Sequence, residues 1–372
     1  MSWNWRFFAA VATITGTIVG AGFLGIPYVV AKSGFLIGII EIILLGILLL
    51  IAKLYLGEIL LRTNKTRQLP GIAKLYLGKN AGRIMLFSLI FGIYSALVAY
   101  LIGEGESLSY IFTGSMNYSI YFALGFWLLL SVFVYRGIRA LKTAEIIGMI
   151  SVFALFVLIL IYFLDKINIE NLLIYDFNYA FLPIGVIIFA FMGFSAMPEV
   201  LMVIKNHEKL LKKAIIVGAI IPIVVYAMFA LIVVGFSGAR TPEIATFALG
   251  KLFVLLGILT MFTSFFPLSM AIRDTYYFDL KYSKMKSWIL TSFVPLILFL
   301  VVYFFKIASF TQVLGIGGII SGGIIGVLVL LMVKNARKLG KRKPEYKMKL
   351  PSWVVMLLIF ILISAILLQL VL

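Results

Sequence analysis

The stretch Gly22-Phe23-Leu24-Gly25-Ile26-Pro27, in the first apolar segment of the chain, decides the fold when it is compared with Gly193-Phe194-Ser195-Ala196-Met197-Pro198. The two copies share a glycine, a phenylalanine, a small residue and a proline at the same spacing, and they lie 171 residues apart. Glycine tolerates non-helical backbone angles, and proline removes an amide donor and clashes with the preceding turn. Each copy therefore predicts a break in a helix, and the pair predicts an internal repeat.

The composition around these motifs is that of a membrane protein. Of the 372 residues, 63% are hydrophobic and 12% are charged, whereas a soluble domain has about 45–50% apolar and about 25% charged residues. About 20 apolar residues suffice for a helix to cross the hydrocarbon core. We expect an all-α integral membrane protein with eleven transmembrane helices at residues 7–31, 35–61, 83–103, 118–135, 143–164, 180–204, 214–236, 250–272, 287–305, 309–333 and 352–372.

The position of the two motifs indicates how the helices are arranged. Each motif lies in the first span of a block of five, and five is odd, so spans one and six cross the membrane in opposite directions. This is typical of an inverted-topology repeat in which broken helices from both halves meet at the membrane midplane. We expect repeats at residues 1–164 and 175–334, followed by a basic loop and an eleventh helix at 335–372.

The charges of the connecting segments predict the orientation. Lys and Arg concentrate in alternate connections, at residues 62–83, 136–142, 205–213, 273–286 and 334–349. The other connections carry most of the acidic residues, namely Glu104, Glu106, Asp165, Glu170, Asp176 and Glu243. Basic segments stay in the cytoplasm, so we expect a multi-pass protein of the cell membrane with its N-terminus inside and its C-terminus outside. The net charge of +18 then needs no nucleic-acid partner.

Several chemistries are disfavoured by the residue types present. The chain has no Cys, and its single His is His207 in a basic connection, so a thiol nucleophile and a Cys-based metal site are excluded. Glu41, Lys53 and Glu58 in span two are expected to pair near the ends of that helix. We therefore predict no enzyme, no cofactor and no metal beyond a sodium ion.

The two predicted breaks have the chemistry of a receptor for an α-amino acid. In span one the outer half-helix presents the amides of Ala21, Gly22 and Phe23, which favour a carboxylate. Backbone carbonyls near Ile18 and from Phe189 to Phe191 would bind an ammonium group. We find no charged side chain at the breaks, which favours a neutral or aromatic amino acid, and a leucine at Gly22 is expected to block it. The substrate site is predicted to comprise Ile18, Ala21, Gly22, Phe23, Phe189, Phe191, Gly193 and Phe194.

A second group of oxygens is predicted to bind a cation. Thr260, Thr263 and Ser264 in span eight follow i, i+3 and i+4 spacing, so they share one face of a helix. With the carbonyls of Gly16 and Val19 they would form an oxygen cage suited to Na⁺. Hydroxyl groups in membrane helices also bond to the i−4 carbonyl of their own helix, and both interpretations remain open.

Four stretches resemble a known family. They are TITGTIVGAGFLGIPY (13–28), QLPGIAKLYLGKNAG (68–82), YSALVAYLIGEGESL (94–108) and MPEVLMVIKNHEKLLKKAIIVGAIIP (197–222). They are similar to the amino acid/auxin permease family of the amino acid–polyamine–organocation superfamily, and most similar to prokaryotic permeases for hydroxy and aromatic amino acids. The resemblance implies eleven helices, two inverted five-helix repeats and symport of amino acids with H⁺ or Na⁺ by alternating access.

The resemblance also bears on the coupling ion. In sodium symporters of the same fold, carbonyls at the positions of Gly16 and Val19 bind the ion, together with span-eight positions that match Thr260, Thr263 and Ser264. Thr260 departs from the small apolar residue found there. Some proton-coupled relatives carry a lysine in span five, which this chain lacks after Lys142. The absence of this lysine favours Na⁺ as the coupling ion. The alternatives are proton coupling and a non-transporting amino-acid sensor on the same fold.

Overall fold

The computed structural model describes residues 3–63, 68–137 and 141–371. Within these ranges the chain is almost entirely helical and has no named strand; residues Gly34 and Tyr175 form one isolated bridge. The helices are α1 (Trp3–Ile18), α2 (Ile26–Ser33), α3 (Phe35–Arg62), α4 (Leu69–Leu77), α5 (Lys79–Thr113), α6 (Ser119–Arg136), α7 (Leu141–Phe163), α8 (Ile169–Leu173), α9 (Pro183–Ala190), α10 (Met197–Val203), α11 (Leu211–Ser237), α12 (Lys251–Asp274), α13 (Lys284–Phe305), α14 (Phe310–Gly317), α15 (Ile324–Leu339) and α16 (Ser352–Val371).

These helices form an integral membrane protein, as predicted. Nine helical segments of the described chain are long and apolar enough to cross a membrane, and the bent pair α1 and α2 makes ten. The predicted fifth span corresponds to α7, of 23 residues, for which no side chain of residues 141–149 is described. The predicted sixth span is α9 with α10, and the tenth is α14 and α15 joined by a π-helical turn at Gly318–Gly323. The boundaries of the inverted repeats remain predictions.

The third span differs from its prediction. Helix α5 has 35 residues and ends only at Thr113, before the left-handed Gly114 with φ +74°. Glu104 therefore lies inside this helix and is fully buried, so its assignment to an outer connecting segment was wrong. The apolar stretch ends at this charge, but the helix continues because neighbouring helices cover it.

The core lies between the first and second predicted repeats. Helices α1 and α3 pack against α11, α3 also packs against α9, and α5 packs along α12. Within the first predicted repeat, α5 also packs along α6. At Gly218 of α11, an added Cβ atom would lie 2.8 Å from the Cβ atom of Ile14. Only glycine allows α1 and α11 to approach this closely, and this approach places α11 directly behind the break in span one.

Candidate substrate and cation sites

The first predicted break is present in the structure. Helix α1 ends at Ile18, Gly20 is extended with φ −100° and ψ −162°, and Ala21–Gly25 form a 3₁₀ turn before α2. Pro27 lies in the first turn of α2, where its missing amide donor costs no helical hydrogen bond. The two halves meet at an angle of 45°.

The second break also joins two half-helices through a 3₁₀ turn, but its glycine is left-handed instead of extended. Helix α9 ends at Ala190, Gly193 adopts a left-handed conformation with φ +74°, and α10 begins at Met197 after a short 3₁₀ turn. A Cβ atom added at Gly22 would lie 2.9 Å from Cδ1 of Phe189 and 3.0 Å from Cα of Ala190. The two breaks therefore touch each other, and the glycine of the first motif is the point of contact.

Tyr226 of α11 joins the two breaks from behind. Its side chain is fully buried, and its hydroxyl lies 2.8 Å from the carbonyl oxygen of Ile18 and 3.0 Å from that of Ala190. A phenol has one hydrogen to donate, so the two carbonyls share it. The Ile18 carbonyl, predicted to face a substrate ammonium group, thus contacts Tyr226 here. A tyrosine in the middle of an apolar helix was the available signal for this residue.

Lys53 contacts the second break from α3. Its side chain is 1% exposed, its amine donates to the carbonyl oxygen of Phe191 at 2.7 Å, and it lies 5.2 Å from the ring centroid of Phe194. The expectation that Lys53 pairs near an end of its helix was wrong, as was the expectation that no charged side chain lies at the breaks. Glu58 instead binds Arg337.

A cavity of about 300 Å³ adjoins the first break and α12. Its lining includes all five residues predicted to bind a cation, which are Gly16, Val19, Thr260, Thr263 and Ser264. The structure thus brings these five residues together around one cavity. Tyr100 of α5, which sequence analysis missed, also lines this cavity, and its hydroxyl contacts the backbone of Ala21 and the side chain of Ser264.

The threonine hydroxyls of this cavity bond to their own helix. The hydroxyl of Thr260 donates to the carbonyl of Leu256 at 2.7 Å, and that of Thr263 donates to the carbonyl of Leu259 at 2.7 Å. This is the geometry expected from the alternative interpretation, in which the hydroxyls bond to the i−4 carbonyls of their own helix. A hydroxyl that donates its hydrogen keeps lone pairs that can accept a cation, so the hydrogen bonds leave a cation cage feasible.

A smaller cavity of about 80 Å³ lies between the two breaks, and Tyr100 and Gly20 line it as well as the larger one. Four predicted substrate residues line it, namely Ile18, Gly22, Phe189 and Gly193. It is smaller than the roughly 300 Å³ of the smallest usual ligand pockets. In this conformation the cavity between the two breaks is therefore too small for a substrate.

The other four predicted substrate residues line neither cavity. Ala21 is fully buried, and Phe23, Phe191 and Phe194 are at most 2% exposed. Phe23 packs edge-on against Phe229 at 4.9 Å between ring centroids, and Phe191 lies 4.8 Å from the ring of Tyr226. In this arrangement the rings fill the space behind the breaks.

Comparison with known proteins agrees with this architecture. Residues 4–370 match the tryptophan/tyrosine permease family. The chain belongs to this family. The permease is 25% identical to glutamine transporter 2 of Aliivibrio fischeri over an alignment of 356 residues, and the match covers 90% of each chain.

Two further relatives are the tyrosine-specific transport systems 1 and 2 of Haemophilus influenzae, at 25% and 28% identity. Those matches cover 59% and 61% of the permease and 55% and 57% of the relatives. The family and the relatives confirm the prediction of a membrane transporter rather than an enzyme. They also confirm the resemblance at the level of amino acid permeases.

Proposed function

We propose that this permease imports neutral or aromatic amino acids together with a sodium ion, by alternating access between inverted five-helix repeats. The observation that carries the proposal is the cavity of about 300 Å³ that joins Gly16 and Val19, beside the break in span one, to Thr260, Thr263 and Ser264 of α12. Neutral oxygens of this kind suit a hard cation such as Na⁺ without a buried charge.

The substrate class is supported by the lining of the two cavities. Among the described residues that line them, none carries a charged side chain. Two relatives are named for tyrosine and one for glutamine, and both are zwitterions with uncharged side chains. The amides of Ala21 and Gly22 would bind the carboxylate once the cavity between the breaks enlarges.

The sodium dependence is tested by uptake into proteoliposomes at fixed pH. We expect Thr263→Ala/Ser264→Ala to lower the apparent Na⁺ affinity about tenfold or more, because each lost oxygen contributes about 1 kcal/mol and 1.4 kcal/mol is a factor of ten. Thr275→Ala is the matched control, since the Thr275 hydroxyl also bonds its own helix, at Ala271, but is exposed. Substrate should still bind at saturating Na⁺, since its proposed contacts are backbone groups.

The result also separates the alternatives. Wild-type uptake that ignores Na⁺ and follows an imposed pH gradient would overturn sodium coupling and leave the proton-coupled alternative. Binding of amino acids without uptake under any gradient would indicate a sensor on this fold. The absence of binding by tyrosine, glutamine and other neutral amino acids would overturn the substrate class.

The proposed orientation places the N-terminus in the cytoplasm and the C-terminus outside. Because the chain has no Cys, single cysteines at exposed residues can be labelled with a membrane-impermeant reagent in intact cells. We expect a cysteine at Tyr118, between α5 and α6, to react and one at Lys341, after α15, to be protected. The reverse pattern would overturn the orientation.

A further inference from the structure

Glu104 of α5 is an acidic side chain buried inside the helical bundle. Its exposed fraction is 0%, and neither carboxyl oxygen has a hydrogen-bond partner among the described residues. The carboxyl group faces the backbone of Phe262 in α12 without forming a hydrogen bond of good geometry. The transport mechanism proposed above makes no use of this residue.

The glycines on either side of Glu104 explain how it is enclosed. A Cβ atom added at Gly103 would lie 2.5 Å from the sulfur of Met261 in α12, and one added at Gly105 would lie 2.6 Å from the carbonyl oxygen of Ser119 in α6. Both helices therefore pack directly against α5 at this level. Close packing on both sides excludes water from the carboxyl group.

No charged group among the described residues offsets the burial of Glu104. Of the elements packed around this turn, α12 presents Met261 and Phe262, α6 presents Ser119 and Ala123, and α14 presents Phe310. An unpaired carboxylate in such surroundings would cost many kcal/mol, and a buried group avoids that cost by becoming neutral. The carboxyl group of Glu104 is therefore protonated in this arrangement.

Titratable groups lie on both sides of Glu104 along α5. Toward the end of the helix, Glu106 lines an open cavity of about 710 Å³ together with Glu243 and Lys306. Phe310, which covers Gly103, also lines this cavity. In the other direction Tyr100 is one helical turn away on the same face, and its hydroxyl contacts the break in span one. Glu104 thus lies between an aqueous vestibule and the residue that touches the first break.

We propose that Glu104 is a proton-binding site that carries a proton with the amino acid during transport. In the closed arrangement the proton stays on the carboxyl group, and it exchanges with water when movement of Phe310 or of the break opens a path. This proposal rests on the proposed function as an amino acid transporter. It does not depend on sodium coupling, since Na⁺ can be held constant while pH is varied.

The test compares wild type, Glu104→Gln and Glu106→Gln in proteoliposomes at equal Na⁺ on both sides. Glutamine at position 104 imitates the protonated acid but cannot release its proton. With one proton per amino acid, an inward gradient of one pH unit allows up to about tenfold accumulation, since one pH unit equals 1.36 kcal/mol. We expect this accumulation in wild type and Glu106→Gln and none in Glu104→Gln, which should still exchange internal for external amino acid.

Each outcome decides a separate claim. Wild type that neither binds nor exchanges amino acids would overturn the proposed function, whereas Glu104→Gln that accumulates substrate like wild type would overturn only the proton site. Loss of the pH response in Glu106→Gln alone would also overturn it.

Infrared difference spectra cover the case in which Glu104→Gln fails to fold. Wild type and Glu104→Asp should show the carbonyl band of a protonated carboxylic acid that changes on substrate binding. The absence of such a change in wild type would refute the site.

Discussion

The side-chain amine of Lys53 donates a hydrogen bond of 2.7 Å to the backbone carbonyl of Phe191. This contact attaches α3 to the point where the sixth span is interrupted, since α9 ends one residue before Phe191. The C-terminal end of a helix favours a positive charge, but complete burial of a charged amine is costly. The contribution of this contact to the free energy of folding is therefore the difference between two opposing terms of comparable size.

Replacement of Lys53 by methionine should separate these terms. A hydrogen bond to a charged group contributes about 1.5–3 kcal/mol, whereas burial of an unpaired ion costs several kcal/mol. We expect Lys53→Met to be at least as stable as wild type in thermal unfolding, and to transport at least tenfold more slowly because the break has lost its link to α3. Lys74→Met, at an exposed position of α4, is the control. A variant that unfolds at lower temperature yet transports normally would contradict this account.

Tyr226→Phe keeps the buried ring and removes only the hydroxyl. The carbonyls of Ile18 and Ala190 then lose their shared donor, although the Ile18 carbonyl still accepts from the Gly20 amide at 2.8 Å. A buried acceptor left unsatisfied costs about 1–3 kcal/mol. We expect a lower unfolding temperature and weaker substrate binding, because both breaks become less ordered. Tyr118→Phe, with a side chain 52% exposed, should behave like wild type. Unchanged stability of Tyr226→Phe would show that the hydroxyl does not hold the breaks together.

Gly22 allows a graded test of the contact between the breaks. Sequence analysis expected a leucine at Gly22 to block the substrate site, but the space beside Gly22 is already occupied by Phe189 and Ala190. Overpacking costs about 1–3 kcal/mol, so we expect even Gly22→Ala to lower both the unfolding temperature and substrate affinity. The control is Gly125→Ala in α6, where an added Cβ atom meets nothing within 4 Å. Equal unfolding temperatures and substrate affinities of the two alanine variants would contradict the close contact between the breaks at Gly22.

Glu58 anchors the segment between α15 and α16. Its carboxylate is 1% exposed and accepts hydrogen bonds from Arg337 at 2.9 Å and from the Met348 amide at 2.9 Å, while Arg62 binds it within α3. Breaking a buried ion pair costs about 3–5 kcal/mol, so Glu58→Gln should strongly lower the unfolding temperature.

Glu345→Gln is the comparison for this prediction. Its partner Arg342 is 37% exposed, and an exposed pair contributes only about 0–1 kcal/mol. A Glu345→Gln effect as large as that of Glu58→Gln would show that burial does not set the difference.

The sequence predicted the features that depend on local chemistry. Glycine and proline at positions 22, 27, 193 and 198 predicted both helix breaks, because their backbone preferences act wherever the chain goes. The i, i+3, i+4 spacing of Thr260, Thr263 and Ser264 predicted a shared face, and the structure places that face on a cavity. The inverted orientation and the coupling ion remain predictions.

Only the tertiary structure decided which neighbours the polar groups meet. Lys53, Tyr226 and Glu104 lie on three different helices, α3, α11 and α5, and spacing along one helix does not reveal what their side chains contact.

 Lys53 meets Phe191 across 138 positions, and Tyr226 meets Ile18 across 208 positions. Contacts at such separations depend on how whole helices pack, which periodicity within one helix does not contain.

The burial of Glu104 also depends on how whole helices pack. A charge at the end of an apolar stretch predicts a helix end at the membrane surface, and the sequence by itself determined that Glu104 is acidic and close to two glycines. The packing of α6 and α12 against Gly105 and Gly103 decided that it is enclosed without a partner. Local chemistry therefore determined the helices and their breaks, and helix packing decided which polar groups the protein buries, because burial depends on neighbours that are distant in the chain.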